Sequence, residues 1–115
     1  MNIESIRDYC LDKAGVAETM PFGPDTLVFK VSDKMFLLIG LNNPNSFNVK
    51  CDPEKAMRLR EEYEEVQPGY HMNKKHWNTV CVNGRLTEPQ LKEMIDHSYE
   101  LVVSSLPKNK RALLK

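Results

Sequence analysis

The stretch Thr26-Leu27-Val28-Phe29-Lys30-Val31-Ser32-Asp33-Lys34-Met35-Phe36-Leu37-Leu38-Ile39-Gly40 decides the fold class. Two runs of aliphatic and aromatic residues flank the polar break Ser32-Asp33-Lys34. Leu27, Phe29 and Val31 alternate with Val28 and Lys30, the period of a strand. Two such runs joined by a short polar turn read as a hairpin, so the sheet is antiparallel from its first pair.

Downstream, Asn42 to Ser46, with its Pro44, reads as a second turn and Phe47 to Cys51 as a third strand. Asp52-Pro53-Glu54 starts a helix: the carboxylate caps free N–H groups, and a proline at the first position has no N–H to waste. Ala56, Leu59 and Tyr63 form its apolar stripe. Glu61, Glu62, Glu64 and Glu65 read as a solvated, fraying end, because glutamates there oppose the helix dipole. A short extended piece is expected within Val66 to Met72 and a better strand from Trp77 to Val82. Asn83-Gly84 is a turn. Thr87 and Gln90 have capping-box spacing and open a last helix with the stripe Leu91, Met94, Ile95, Ser98, Leu101 and Val102. Pro107 ends it.

Upstream, Ile3, Ile6, Cys10 and Leu11 fall at helical spacing, which predicts a helix over about residues 2–14. Gly15 suits its end. Met20-Pro21-Phe22-Gly23-Pro24 reads as a rigid turn with an aromatic anchor. The expected order is α-β-β-β-α-β-β-α. Short turns favour an antiparallel sheet with N-terminal, middle and C-terminal helices on one face. This is a single compact α+β domain over residues 1–107, followed by a short basic tail, 108–115.

The 115 residues suit one core. No apolar run approaches the roughly 20 residues that span a bilayer, and the N-terminal residues lack a signal-peptide pattern, so a cytoplasmic monomer is expected. Three widely spaced cysteines, Cys10, Cys51 and Cys81, argue against a disulfide framework and read as small buried thiols. Net charge is zero but uneven: residues 1–65 carry 8 Lys/Arg against 12 Asp/Glu, and residues 66–115 carry 8 against 4. A neutral total disfavours strong nonspecific nucleic-acid binding, while a basic half attracts anions.

The densest run in chemistry-bearing side chains is Pro68-Gly69-Tyr70-His71-Met72-Asn73-Lys74-Lys75-His76-Trp77-Asn78. With Pro21-Phe22-Gly23, Phe29-Lys30-Val31, Lys34-Met35-Phe36, Asp52-Pro53-Glu54, Ser98-Tyr99 and Leu106-Pro107, it resembles the MmcQ/YjbR family over nearly the whole chain. The central run is the specific part. The resemblance implies a compact α+β fold similar to frataxin/CyaY and to the "double wing" domain of the phage transcription factor MotA. The family is often labelled DNA-binding. It brings no settled catalytic residue.

For nucleic acid, Lys74 and Lys75 are the candidate phosphate contacts. His76, Trp77 and Tyr70 are the candidate platform, and Lys50 extends the basic surface. Lys30 and Lys34 lie on or beside the hairpin strands, and Lys108, Lys110 and Arg111 would add an arm. Against this, Trp is highly buried on average, and Trp77 begins a strand where an inward ring would anchor the loop. His71, His76 and Cys81 are five apart in series, a spacing of no familiar metal site, and His97 reads as exposed on its helix. Glu4, Asp8 and Asp12 make an acidic stripe that a solvated helix face explains. A Cys81 pairing with His71 or His76 is conceivable, but nothing singles it out. No nucleophile elbow, phosphate loop or H-E-x-x-H occurs. The expectation is a non-enzymatic domain with no metal or cofactor, whose partner is DNA. The alternative is a protein-interaction module, to which Tyr70, Met72 and Trp77 are suited. A frataxin-like metal-binding protein ranks below both.

Overall fold

The computed structural model describes residues 1–70 and 72–114. The chain runs α1 (Ile3–Leu11), β1 (Val16–Thr19), β2 (Thr26–Val31), β3 (Lys34–Gly40), β4 (Asn43–Lys50), α2 (Pro53–Glu62), β5 (Val66–Pro68), β6 (Trp77–Cys81), α3 (Glu88–Ser104) and α4 (Lys108–Ala112). The strands form one antiparallel sheet in the order β1-β2-β3-β4-β6-β5.

The opening hairpin forms as its pattern predicts. Val31 pairs with Lys34, and the two turn residues are left-handed, Ser32 at φ 48° and Asp33 at φ 66°. Two consecutive left-handed residues give the primed turn whose twist matches the strands. Strand alternation then sorts the side chains. The row Leu27, Ile39, Phe47, Val80 and Val66 runs across five strands and faces the helices, buried at every position but the half-buried Leu27. Helix α1 contributes Ile6 and Cys10, and α3 contributes Leu91, Met94, Ile95, Tyr99 and Val102. Fully burying each such aliphatic side chain contributes about 1.5–3 kcal/mol.

Helix α3 is pinned to the sheet by more than apolar contact. The buried Ser98 hydroxyl donates to the Phe36 carbonyl and accepts from the Lys50 N–H at 2.8 Å. Tyr99 meets Phe36 edge-on at 5.4 Å and donates its hydroxyl proton to the Ala14 carbonyl at 2.6 Å. The Thr87–Gln90 capping box is present, as is the Asp52 cap with Pro53 in the first turn of α2.

Several features of the fold depart from the sequence reading. A strand, β1, forms at the sheet edge. Strand β4 begins at Asn43 and takes in Pro44; the register shifts there, between Ile39 and Gly40, so the missing N–H falls in an irregular stretch of the ladder. Glu65 is not solvated: its side chain is 9% exposed and accepts the Arg85 N–H at 2.7 Å. The stretch after Pro107 contains helix α4, and Leu114 packs on the core.

Candidate nucleic-acid interface

The sheet face away from the helices carries the row Thr19, Val28, Leu38, Asn48, Thr79 and Gln67, one residue from each strand. Val28, Leu38 and Trp77 form a small second core there, flanked by Met35 and Met72. The connection between β5 and β6 folds over this face, and tight backbone packing seats it. Gly69 donates to the Trp77 carbonyl at 2.8 Å, and a Cβ on Gly69 would lie 2.8 Å from the Trp77 Cβ. Tyr70 N–H donates to Thr79 Oγ1 at 3.0 Å. That hydroxyl spends its proton on Asn48 Oδ1, which orients the Asn48 amide.

Arg60 of α2 holds the other half of the loop. Its Nε donates to the buried Asn78 Oδ1 at 2.7 Å, and its Nη2 donates to the carbonyls of Lys74 and Trp77. One rigid guanidinium therefore fixes the backbone on both sides of His76. Nothing in the reading of the run itself pointed to Arg60. The available signal was an arginine on the helix preceding a run rich in carbonyl-bearing turns.

The residues singled out from the sequence separate into two groups. Lys74 and Lys75 are exposed at the tip of the loop, and Tyr70 is 70% exposed. Lys50 pairs across the ladder with Trp77 at the end of β4. Trp77 is only 8% exposed and serves as the anchor of the loop, with its ring on the open face of the sheet instead of in the main core. His76 is half-buried. His71 lies outside the described residues.

Between the β1–β2 and β5–β6 connections the open face forms a cleft of about 340 Å³, lined by Phe22, Thr26, Leu38, Gly40, Asn48, Tyr70 and Met72. Phe22 and Tyr70 stand on the two connections, 63% and 70% exposed. Phe22, read from the sequence as an anchor, is a wall of this cleft.

Charge is sorted across the sheet. Glu18 is the one acidic residue in the six strands, and it lies in register with Phe29 on the helix side, bound at 2.6 Å by both Nε and Nη2 of Arg7. The helices are mixed in charge: α1, α2 and α3 hold nine acidic and five basic residues, and α4 adds Lys108, Lys110 and Arg111. The open face carries Lys30 and Lys50 on its strands, with Lys74 and Lys75 exposed on the β5–β6 connection that borders it and Asp25 and Asp33 in turns at its edge.

Other chemistry is dispersed. His76 and Cys81 bracket β6, so a rise of about 3.3 Å per residue sets them roughly 16 Å apart. Cys81 Sγ instead meets Asn83 Oδ1 at 2.6 Å. Cys10 is buried, and burial pushes its thiol up to about 12. His97 is half-buried, not exposed, and accepts the Asp52 N–H at 3.1 Å; burial, with Lys55 nearby, lowers its pKa. Among the described residues, no three His, Cys, Asp or Glu side chains come together as a metal-holding group, and no helix is long and apolar enough to cross a membrane.

This architecture has close relatives. The YjbR family profile matches residues 11–101. The chain is 34% identical over 115 residues to the uncharacterised protein YjbR of Escherichia coli strain K12, covering 99% of this chain and 98% of that one. It is 38% identical over 106 residues to the uncharacterised protein YbdF of Escherichia coli O157:H7, covering 91% and 87%. The crystal structure of Deinococcus radiodurans protein DR2400, a DUF419 domain, superposes with a TM-score of 0.92 at 35% identity, covering 98% of this chain and 87% of that chain. A Pseudomonas syringae protein superposes with a TM-score of 0.74 at 33% identity, covering 88% and 98%. The chain belongs to the MmcQ/YjbR family.

Proposed function

We propose that this protein is a non-enzymatic nucleic-acid-binding domain that uses the open face of its sheet. The observation that carries the reading is the sorting of charge across that sheet. The helices on one side mix nine acidic with eight basic residues, while the open strand face carries Lys30 and Lys50 and no acidic residue, with Lys74 and Lys75 on the adjoining connection and two exposed aromatics nearby. A neutral total charge therefore does not weaken the local case, because a polyanion senses the near face within a Debye length of about 10 Å. Lys74 and Lys75 take phosphates, and Tyr70 replaces Trp77 as the stacking platform, since the Trp77 ring is committed to holding the loop.

Fluorescence anisotropy of a short labelled DNA oligonucleotide, titrated with salt, tests this. Affinity is expected to fall steeply with salt. The Lys74→Ala/Lys75→Ala double variant is expected to reduce the slope by about 1.4 for a single strand, two phosphate contacts' worth. No binding at low salt overturns the proposal. A protein partner on this face would instead bind with little salt dependence.

A further inference from the structure

We infer that the cleft between Phe22 and Tyr70 receives an unpaired base, so that the ligand class is single-stranded nucleic acid. This rests on the nucleic-acid reading above and specifies its substrate. Three observations point the same way. First, the two walls are aromatic, and both stand largely in solvent. They come from different connections, one entering β2 and one leaving β5, and both line the one cleft. Base–aromatic stacking is the sequence-tolerant contact of single-strand binders, and it needs a base face that a duplex hides in its stack.

Second, the floor suits a base. Leu38 and Met72 supply apolar contact, and Gly40 leaves the floor open: a Cβ built there meets nothing within 4 Å. The hydrogen bond from Thr79 Oγ1 to Asn48 Oδ1 sets the Asn48 amide so that its NH₂ group is the donor it offers the cleft. A volume of about 340 Å³ lies at the small end of ligand sites and exceeds one nucleobase. Third, the lining contains no acidic residue, Lys50 lies on the same face, and Lys74 and Lys75 stand exposed on the connection that carries Tyr70 and Met72, within reach of flanking phosphates.

The absence of positive φ at Gly40 supplies a clean test. Gly40→Val suits a strand and fills the cleft without changing charge. Anisotropy would compare one labelled sequence as single strand and as duplex, on wild type, Gly40→Val and Phe22→Ala, each confirmed folded by circular dichroism. Wild type is expected to favour the single strand by about tenfold, and each variant to lose about tenfold of single-strand affinity, the worth of one stacking contact. The variants' weak duplex binding and salt slope are expected to stay as in wild type. Equal affinity for single strand and duplex, untouched by either variant, overturns this inference and leaves the proposed function standing. Binding of neither overturns both.

Discussion

Arg60 shows how one side chain sets the geometry of the loop that carries the proposed contacts. It satisfies a buried amide, Asn78 Oδ1, and two loop carbonyls at once. Arg60→Ala leaves that amide without its partner, so urea unfolding should show a loss of about 1–3 kcal/mol. Arg60→Lys should recover little, because an ammonium lacks the planar fork. Trp77 makes the second case at this scale. Its ring is enclosed by Val28, Leu38, Met35 and Met72. Its fluorescence should therefore be blue-shifted and resist iodide quenching in the native state; a red-shifted, readily quenched emission would contradict the packing. That Trp77 is buried was legible from residue type. The face it occupies was misread: an inward ring was expected, whereas the three-residue spacing from Val80 puts Trp77 on the opposite face of the strand, away from the main core. Arg60 was not read, because two of its three partners are backbone carbonyls and the third, Asn78, lies eighteen residues away on another element.

Elements with local rules were readable, and those made by tertiary context were not. The hairpin, the Asp52-Pro53 start and the Thr87–Gln90 box follow from turn and cap chemistry, and each is in place. Strand β1 has no apolar alternation to announce it: Val16-Ala17-Glu18-Thr19 extends because β2 offers an unpaired edge. Helix α4 follows a proline and is built of charged residues, so nothing periodic marks it. One cap is pH-sensitive. His97 accepts the N–H of Asp52, the N-cap residue of α2, through Nε2, which must be unprotonated. Burial lowers the folded-state pKa of His97 below the ordinary value near 6.5. The unfolded chain thus binds this proton more readily, so the contribution is complete above about pH 6.5 and is lost as pH falls toward the folded-state value. Thermal melts should show a decline over that interval that His97→Gln removes. A His97→Gln variant with an unchanged pH profile would assign the decline to other groups.

For the whole molecule, the informative asymmetry runs across the sheet and not along the chain. The sequence shows a −4 first part and a +4 second part, yet Lys30 and Lys50 from the first part lie on the open face, bordered by the connection that carries Lys74 and Lys75 from the second. Topology produces this. The order β1-β2-β3-β4-β6-β5 inserts the late strand β6 beside β4, and alternation turns Glu18 toward α1. Fold class and family were readable from linear motifs, whereas a surface assembled from four strands and two connections needs the register. The binding account places all contacts on that one surface. Amide chemical-shift mapping during titration with a single-stranded oligonucleotide tests it most directly. The account predicts shifts clustered at Thr26, Leu38, Gly40, Asn48, Tyr70, Lys74 and Thr79, with the solvent-facing residues of α1 and α3 unmoved. Shifts confined to those helices, or none at saturating oligonucleotide, would contradict it.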